Sequence, residues 1–224
     1  MMSVGVVVVT IVLFLFMTLV YKRFTYPFLL PILTTTTIIV VVLILLDISY
    51  DTYMSGAKWI DGMLGPAVVS MAYPLYMHKE KLVKYKSVIL LSVIVALLSG
   101  MISITVFSQL FAFDKEILLS FLPKSITSPV AMPISESIGG IPTLTAVLVI
   151  IAGLIGALFG PILFKYGGIQ SAISRGLSMG SASHGIGVSK LAEYGEATLT
   201  MGTVGMTLSA VLGAFICPLF ALLL

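Results

Sequence analysis

The sequence predicts an all-α membrane protein, and three observations predict it. Of its 224 residues 59% are hydrophobic and 9% are charged, whereas a soluble domain carries about 25% charged residues. The apolar runs are long and continuous, which indicates spanning helices rather than the alternating strands of a membrane barrel. The net charge is only +3, with no basic arm, zinc-ligand spacing, phosphate-binding loop or GxSxG motif. Nucleic acid is therefore not a predicted partner, and the chain is interpreted as one membrane domain.

Six intervals are candidates for membrane crossing, which takes roughly 20 apolar residues in a helix. Five of them contain no Asp, Glu, Lys or Arg: 1–21, 24–46, 87–113, 137–164 and 197–224. The sixth, 59–78, is interrupted by Gly65-Pro66 and by Pro74. The sequence therefore predicts about six spanning helices.

The charges between the spans set the predicted orientation. Basic residues follow the intervals 1–21 and 59–78, and the positive-inside rule places these residues in the cytoplasm. The N-terminus is then predicted to lie outside. The charged cluster 114–116 then lies outside and Lys165 inside. Because 141–164 supplies one crossing between them, 117–136 must enter and leave on one side, as a re-entrant hairpin. If the charge bias at Lys165 misleads, 117–136 spans, and the chain has eight helices.

Two segments, 117–136 and 170–192, are rich in Gly, Pro, Ser and Thr and read as broken helices. Three prolines interrupt "LPKSITSPVAMPIS" (122–135), and three glycines loosen "GSASHGIGV" (180–188). Broken backbone is tolerated at membrane depth only where protein or a water-filled cavity meets it. Free amides, hydroxyls and one titratable histidine suit a small organic anion. The predicted substrate-binding residues are Lys124, Ser125, Thr127, Ser128, Ser181, Ser183, His184, Gly185 and Gly187.

An internal repeat is indicated by two stretches that align at an offset of 57 residues. "GLIGALFGPILF" (153–164) aligns with "AVLGAFICPLFA" (210–221), and the same offset lays 125–131 on 182–188. Each unit would contain one broken segment and one spanning helix. A single crossing per unit inverts the second copy, which is the inverted-repeat architecture of secondary transporters.

The predicted organisation is a scaffold over 1–112 and two repeats over 117–224. A plainer interpretation stays open, in which the breaks serve only helix packing. Lys124 would then reach to the membrane interface, and His184 would hydrogen-bond a neighbouring carbonyl.

Four ordered stretches resemble the signature regions of the LrgB/CidB family, and the resemblance runs from about residue 5 to the end of the sequence. They are "LGPAVVSMAYPLY" (64–76), "LPKSITSPVAMPIS" (122–135), "GALFGPILF" (156–164) and "MGSASHGIGVSKLAEYGE" (179–196). The family commonly has Thr-Ala at Ser181-Ala182 and often Arg at Lys190. These differences keep the hydroxyl and the charge, and they leave the cargo open.

The resemblance implies two functions for a multi-pass protein of the bacterial cytoplasmic membrane. Some members are antiholin-like, act beside a small holin-like partner of the LrgA/CidA type, and are linked to murein hydrolase export, autolysis and programmed cell death. Others are implicated in pyruvate uptake, and the plant relative is the plastidal glycolate/glycerate translocator, in which both parts are fused. The present chain resembles the LrgB part alone, so a separate partner is implied.

The favoured hypothesis is a secondary transporter of small monocarboxylates such as pyruvate, glycolate or glycerate, coupled to protons through His184. The alternative is a regulator that acts through the holin-like partner and transports nothing. An enzyme is not predicted, because the neighbours Ser183 and His184 rarely face each other for serine chemistry. No cofactor or metal is expected, because a metal site needs more ligands than one histidine. Membrane lipid is an expected contact, and a homo-oligomer is left open.

Overall fold

The regular structure of the protein is helical wherever it is described. The computed structural model describes residues 2–24, 26, 29–70 and 72–224, and its elements in these ranges are helices. The all-α prediction is therefore confirmed. The chain divides into two compact units, the N-terminal unit Met1–Ala67 and the C-terminal unit Val68–Leu224.

The N-terminal unit contains three helices. They are α1 (Met2–Phe24), α2 (Pro31–Leu45) and α3 (Tyr50–Asp61). Pro31 stands at the first position of α2, where its fixed φ suits a helix and its missing N–H costs nothing. Ser49 caps α3, since its Oγ accepts from the Thr52 amide at 3.3 Å. The hydroxyls of Thr10 and Tyr53 lie 3.2 Å apart and join α1 to α3.

The division between the two units lies within α4 (Leu64–Ser70). The C-terminal unit then continues with α5 (Ala72–Met77), α6 (Lys79–Lys84), α7 (Lys86–Leu110), α8 (Lys115–Phe121), α9 (Ser128–Ser137), α10 (Pro142–Tyr166), α11 (Ala172–Lys190), a 3₁₀ turn (Leu191–Tyr194) and α12 (Glu196–Ala221). α7 and both broken segments belong to the same compact unit, and the division into a scaffold and two repeats stays a prediction.

Four of the described helices are long and apolar enough to cross a membrane. They are Val4–Phe24, Lys86–Leu110, Pro142–Tyr166 and Glu196–Ala221. The helix in the predicted second span, α2, is apolar but has only 15 residues. The interval 59–78 holds parts of several short helices rather than one long helix, because α3 ends before the C-cap Gly62 and a new helix begins at Leu64. The number of crossings stays a prediction.

Two segments of the C-terminal unit fold back on themselves. We call α8, α9 and the turn between them the first hairpin, and α11 with its following 3₁₀ turn the second hairpin.

The two arms of the first hairpin lie side by side against α10. Thr145 Oγ1 of α10 donates to the carbonyl of Ser120 at 2.9 Å and lies 2.7 Å from Ser135 Oγ. One threonine thus contacts both arms. The turn between the arms reaches α7 near its middle, where Lys124 Nζ lies 3.6 Å from the place that a Cβ on Gly100 would take. The segment therefore forms a helical hairpin, and its re-entrant placement in the membrane stays a prediction.

The second hairpin turns at His184, whose φ of 39° and ψ of −140° interrupt α11. Met179 Cγ lies 3.1 Å from the place that a Cβ on Gly187 would take, whereas eight residues of continuous helix would separate them by about 12 Å. At the open end the guanidinium of Arg175 lies 5.0 Å from the ring centroid of Tyr194. Both ends of this segment therefore lie together.

Each hairpin packs against the long helix of the other repeat. Gly156 of α10 leaves room for Ser183 of the second hairpin, and Gly213 of α12 leaves room for Ile126 of the first, since a Cβ at either glycine would overlap that side chain. The two contacts are related by the same offset of 57 residues that aligns the sequence. Reciprocal contacts of this kind are what an inverted repeat produces.

Candidate functional site

A cavity of about 610 Å³ lies in the C-terminal unit where the two hairpins meet. Lys124 and Ser125 of the first hairpin and Ser183 of the second line it, and α7 and α10 complete its wall. Sequence analysis places these three residues in one binding site, and the fold brings them to one cavity. Side chains of α7 and α10 thus meet both broken segments at this cavity, which is the setting in which broken backbone is tolerated in a membrane protein.

Lys124 supplies the positive charge of this cavity. Among the described residues, it is the charged side chain of the lining, and no acidic group lies within ion-pair distance of its Nζ. An unpaired ammonium in an apolar setting is costly unless an anion joins it. The site is therefore electrostatically matched to a ligand with one negative charge.

Hydroxyl groups provide the second kind of ligand contact. The hydroxyls of Ser99, Ser103 and Ser178 each donate to a carbonyl three residues earlier in their own helices, at 3.0, 2.9 and 3.2 Å. Ser125 and Ser183 make no such bond within the described part of the chain, so their protons are available to a ligand. Each hairpin thus contributes one free hydroxyl.

The rest of the wall is apolar. Ile155, Phe159 and Leu163 of α10 and Met179 of α11 form most of it. A cavity of this size with few polar groups is typical of small-molecule sites. The apolar wall favours a ligand with one charged end and a short, weakly polar body.

His184 is held next to the cavity rather than in its lining. Its side chain is 5% exposed, and its Nε2 lies 2.7 Å from the carbonyl oxygen of Val149 in α10. Because a carbonyl only accepts, Nε2 carries a proton and donates it. The ring also packs on Gly153. The histidine therefore fixes the tip of the second hairpin and holds the adjacent Ser183 at the cavity.

The backbone of His184 predicts an unusual order of stability among its variants. Its dihedral angles fall where glycine is favoured over other residues. Both His184→Gly and His184→Ala lose the bond to Val149, so comparing them isolates the backbone. We expect His184→Gly to be more stable than His184→Ala by about 1–2 kcal/mol. Thermal unfolding of the two purified variants in detergent measures this, and equal stability would contradict the strained turn.

The remaining predicted residues do not line the cavity. Thr127 begins the turn into α9 and Ser181 lies in the α11–α12 contact, each with a buried hydroxyl that has no partner among the described residues. Ser128 is the first residue of α9, Gly185 is exposed, and Gly187 packs on Ser183 and Met179.

Sequence reasoning missed the contribution of α7 to this site. Ser99, Gly100 and Ser103 line the cavity from an otherwise apolar helix. The sequence does indicate this contribution, because small and hydroxyl residues cluster in "LLSGMISI" (97–104) within an otherwise apolar run. Among the described residues no three His, Cys, Asp or Glu side chains group as metal ligands do. The expected absence of a metal and of a cofactor stays a prediction.

Comparison with known proteins identifies the family. The sequence pattern of the LrgB-like family matches residues 10–223. The chain belongs to the LrgB-like family. "Uncharacterized protein YxaC" of Bacillus subtilis (strain 168) is 47% identical over 214 residues, covering 96% of this chain and 93% of its own length. "Holin-like protein CidB" of Staphylococcus epidermidis (strain ATCC 12228) is 34% identical over 221 residues, covering 99% and 96%. "Holin-like protein CidB" of Staphylococcus aureus (strain Mu50) is 34% identical over 217 residues, covering 97% and 95%.

The family and the helices together establish a multi-pass membrane protein, which confirms both the resemblance and the localisation to a membrane. No solved structure matches the chain significantly.

Proposed function

We propose that this LrgB-like protein is a secondary transporter of small monocarboxylates such as pyruvate, glycolate or glycerate, and that it does not change them chemically. One observation carries the proposal. The tips of two hairpins from two repeat units meet at one cavity and bring Lys124, Ser125 and Ser183 into its lining.

The chemistry of the cavity supports a monocarboxylate over other small anions. One ammonium balances one carboxylate, and a charge-assisted hydrogen bond to it is roughly twice as strong as a neutral one. Two free hydroxyls can donate to the second carboxylate oxygen. A second carboxylate on the ligand would face the apolar wall of Ile155 and Phe159 without a partner, which disfavours dicarboxylates.

The contacts of the hairpins support movement between two states. Both hairpins lie on glycines of long helices, Ser183 on Gly156 and Ile126 on Gly213. The glycine presents no side chain of its own at either contact, so a shift of the hairpin need not displace a helix side chain there. Alternating access would follow from shifting the hairpins against these helices, with the carboxylate held at their tips.

Uptake into proteoliposomes that contain this chain alone tests the proposal. We expect saturable uptake of labelled pyruvate and glycolate, measured with and without a pH gradient to detect proton coupling. Absence of uptake, in vesicles whose protein is monodisperse and folded, would contradict autonomous transport.

The Ser183→Ala variant tests the assigned site. Loss of one hydrogen bond from a hydroxyl to a charged carboxylate is worth at least about 1.5 kcal/mol, so we expect KM to rise about tenfold. The matched control is Ser189→Ala on the same hairpin, because Ser189 is exposed and its hydroxyl donates to the carbonyl of Ile186 at 2.7 Å. An unchanged KM in Ser183→Ala, or an equal rise in both variants, would show that Ser183 does not contact the cargo.

A second candidate is an antiholin-like regulator that acts through a small holin-like membrane partner and controls murein hydrolase export. The name "Holin-like protein CidB" of two relatives favours it. The N-terminal unit also favours it, because the apolar side chains of α1 are mostly exposed and an apolar cavity of about 870 Å³ lies among α1, α2 and α3. If proteoliposomes that contain this chain alone show no uptake, adding a holin-like partner to them distinguishes the two candidate functions. Uptake that appears only with the partner supports a shared transporter, and permeability that changes without saturable uptake supports the regulator.

A further inference from the structure

Three buried hydroxyls of the C-terminal unit have no hydrogen-bond partner within the residues that the structure describes. They belong to Thr127 in the turn of the first hairpin, Ser181 in α11 and Ser209 in α12. A buried hydroxyl that bonds to nothing is unfavourable, so proteins rarely retain one without a use for it.

The helices themselves offer partners that these serines do not take. Along α12 the hydroxyls of Thr198, Thr203 and Thr207 donate to the carbonyls four residues earlier, at 3.1, 3.0 and 2.8 Å. Ser209 lies on the same helix and makes no such bond, and Ser181 behaves likewise in α11. Both hydroxyls are therefore directed away from their own helices.

The internal repeat gives these positions a meaning. At the offset of 57 residues, Ser181 is the counterpart of Lys124, and Ser209 is the counterpart of Ala152. Lys124 and Ala152 both line the open cavity. In the second repeat, the two unpartnered serines thus occupy the positions that line the cavity in the first repeat.

Both serines lie on the side of their helix that meets the other helix near Gly205. Ser181 Oγ lies 3.4 Å from the place that a Cβ on Gly205 would take. Ser209 stands one turn beyond Gly205 on α12, and helical side chains point back toward the N-terminal turn. Both hydroxyls are therefore directed to the contact between α11 and α12 at Gly205.

We propose that Ser181 and Ser209 line a second carboxylate site that opens to the opposite end of the C-terminal unit and is closed in this structure. The inference rests on the proposed function. The second site forms when the two hairpins exchange their conformations, so that Gly205 separates from Ser181. Since the counterpart of Lys124 is a serine, this site binds the carboxylate with neutral hydroxyls only. It holds the carboxylate less tightly than the Lys124 cavity, which suits release.

Cysteine accessibility in sealed vesicles tests the proposal. The background variant is Cys217→Ala, since Cys217 is the single cysteine and is fully buried. Ser125→Cys reports the open cavity, Ser209→Cys and Ser181→Cys report the second site, and Thr207→Cys is the matched buried control on α12. A membrane-impermeant thiol reagent is applied from each face in turn, to protein of uniform orientation.

We expect Ser209→Cys and Ser181→Cys to react from the face opposite to that of Ser125→Cys. Their rate should be about 0.1–10% of the Ser125→Cys rate, because a minor state is populated to that order. Thr207→Cys should react at least about tenfold more slowly than Ser209→Cys, and saturating pyruvate should slow Ser209→Cys.

Two results would overturn the inference. One is reaction of Ser209→Cys and Ser181→Cys no faster than Thr207→Cys, and the other is reaction from the same face as Ser125→Cys. Uptake by the Cys217→Ala protein is measured in the same vesicles. If uptake is normal but the cysteines at positions 181 and 209 do not react, the proposed function stands and the second site does not exist. If the protein shows no uptake, and Ser209→Cys reacts from the opposite face at a rate that pyruvate does not slow, then neither site binds a carboxylate.

Discussion

Replacing Lys124 by methionine should lower kcat/KM for pyruvate uptake by roughly 10- to 100-fold. A hydrogen bond to a charged group is worth about 1.5–3 kcal/mol, and each 1.4 kcal/mol is tenfold. Lys124 lines the cavity, and no acidic group within the described residues competes for its charge. Methionine keeps the unbranched stem and removes the ammonium, so the fold loses little. Initial rates over a range of pyruvate concentrations measure the effect.

Lys165→Met is the matched control for this prediction. Lys165 is exposed at the end of α10, where its Nζ lies 5.9 Å from the ring centroid of Tyr166. The same chemical change there should leave uptake within about twofold, because exposed charge contacts contribute little. If both variants lose uptake equally, the loss reflects surface charge rather than the cavity, and Lys124 is not a ligand for the carboxylate.

Replacing Gly180 by alanine should destabilise the protein by about 1–3 kcal/mol, or prevent its folding. A Cβ at Gly180 would overlap the Gly202 carbonyl oxygen and would stand 2.9 Å from the Met206 amide nitrogen on α12. Both contacts are to backbone, so the helices must separate to admit a methyl group. Thermal unfolding in detergent, with size-exclusion chromatography to confirm the dispersed state, measures the change.

Gly185→Ala is the control on the same hairpin. A Cβ at Gly185 would meet only Met206 Sδ, at an ordinary distance of 3.8 Å. Alanine should therefore be neutral there or slightly stabilising, because it reduces the freedom of the unfolded chain. Equal destabilisation at both positions would mean that the close packing at Gly180 does not limit stability.

Charge-free runs predicted the long helices because the bilayer selects by length and hydropathy, which are properties of sequence alone. The runs 87–113, 137–164 and 197–224 correspond to α7, α10 and α12. In the charge-free run 24–46 the described helix α2 covers Pro31–Leu45. The breaks that Gly65-Pro66 indicates within 59–78 correspond to several short helices.

The candidate site was predicted in part because helix breaks have a chemical signature. Prolines and glycines marked both hairpin tips, and Lys124, Ser125 and Ser183 followed from them. Which hydroxyls face the cavity depends on the rotation of each arm about its axis, and composition carries no information on that. Ser183 faces the cavity, whereas Ser181, two residues away, is directed to α12.

The position of α12 in the chain determines when the two hairpins can be completed. Both hairpins precede α12 in the sequence, yet Gly213 receives Ile126 of the first and Gly202 packs against Gly180 of the second. During synthesis neither hairpin can therefore complete its packing until α12 arrives. A fault in the last helix leaves both hairpins without part of their packing at once, although they are made well before it.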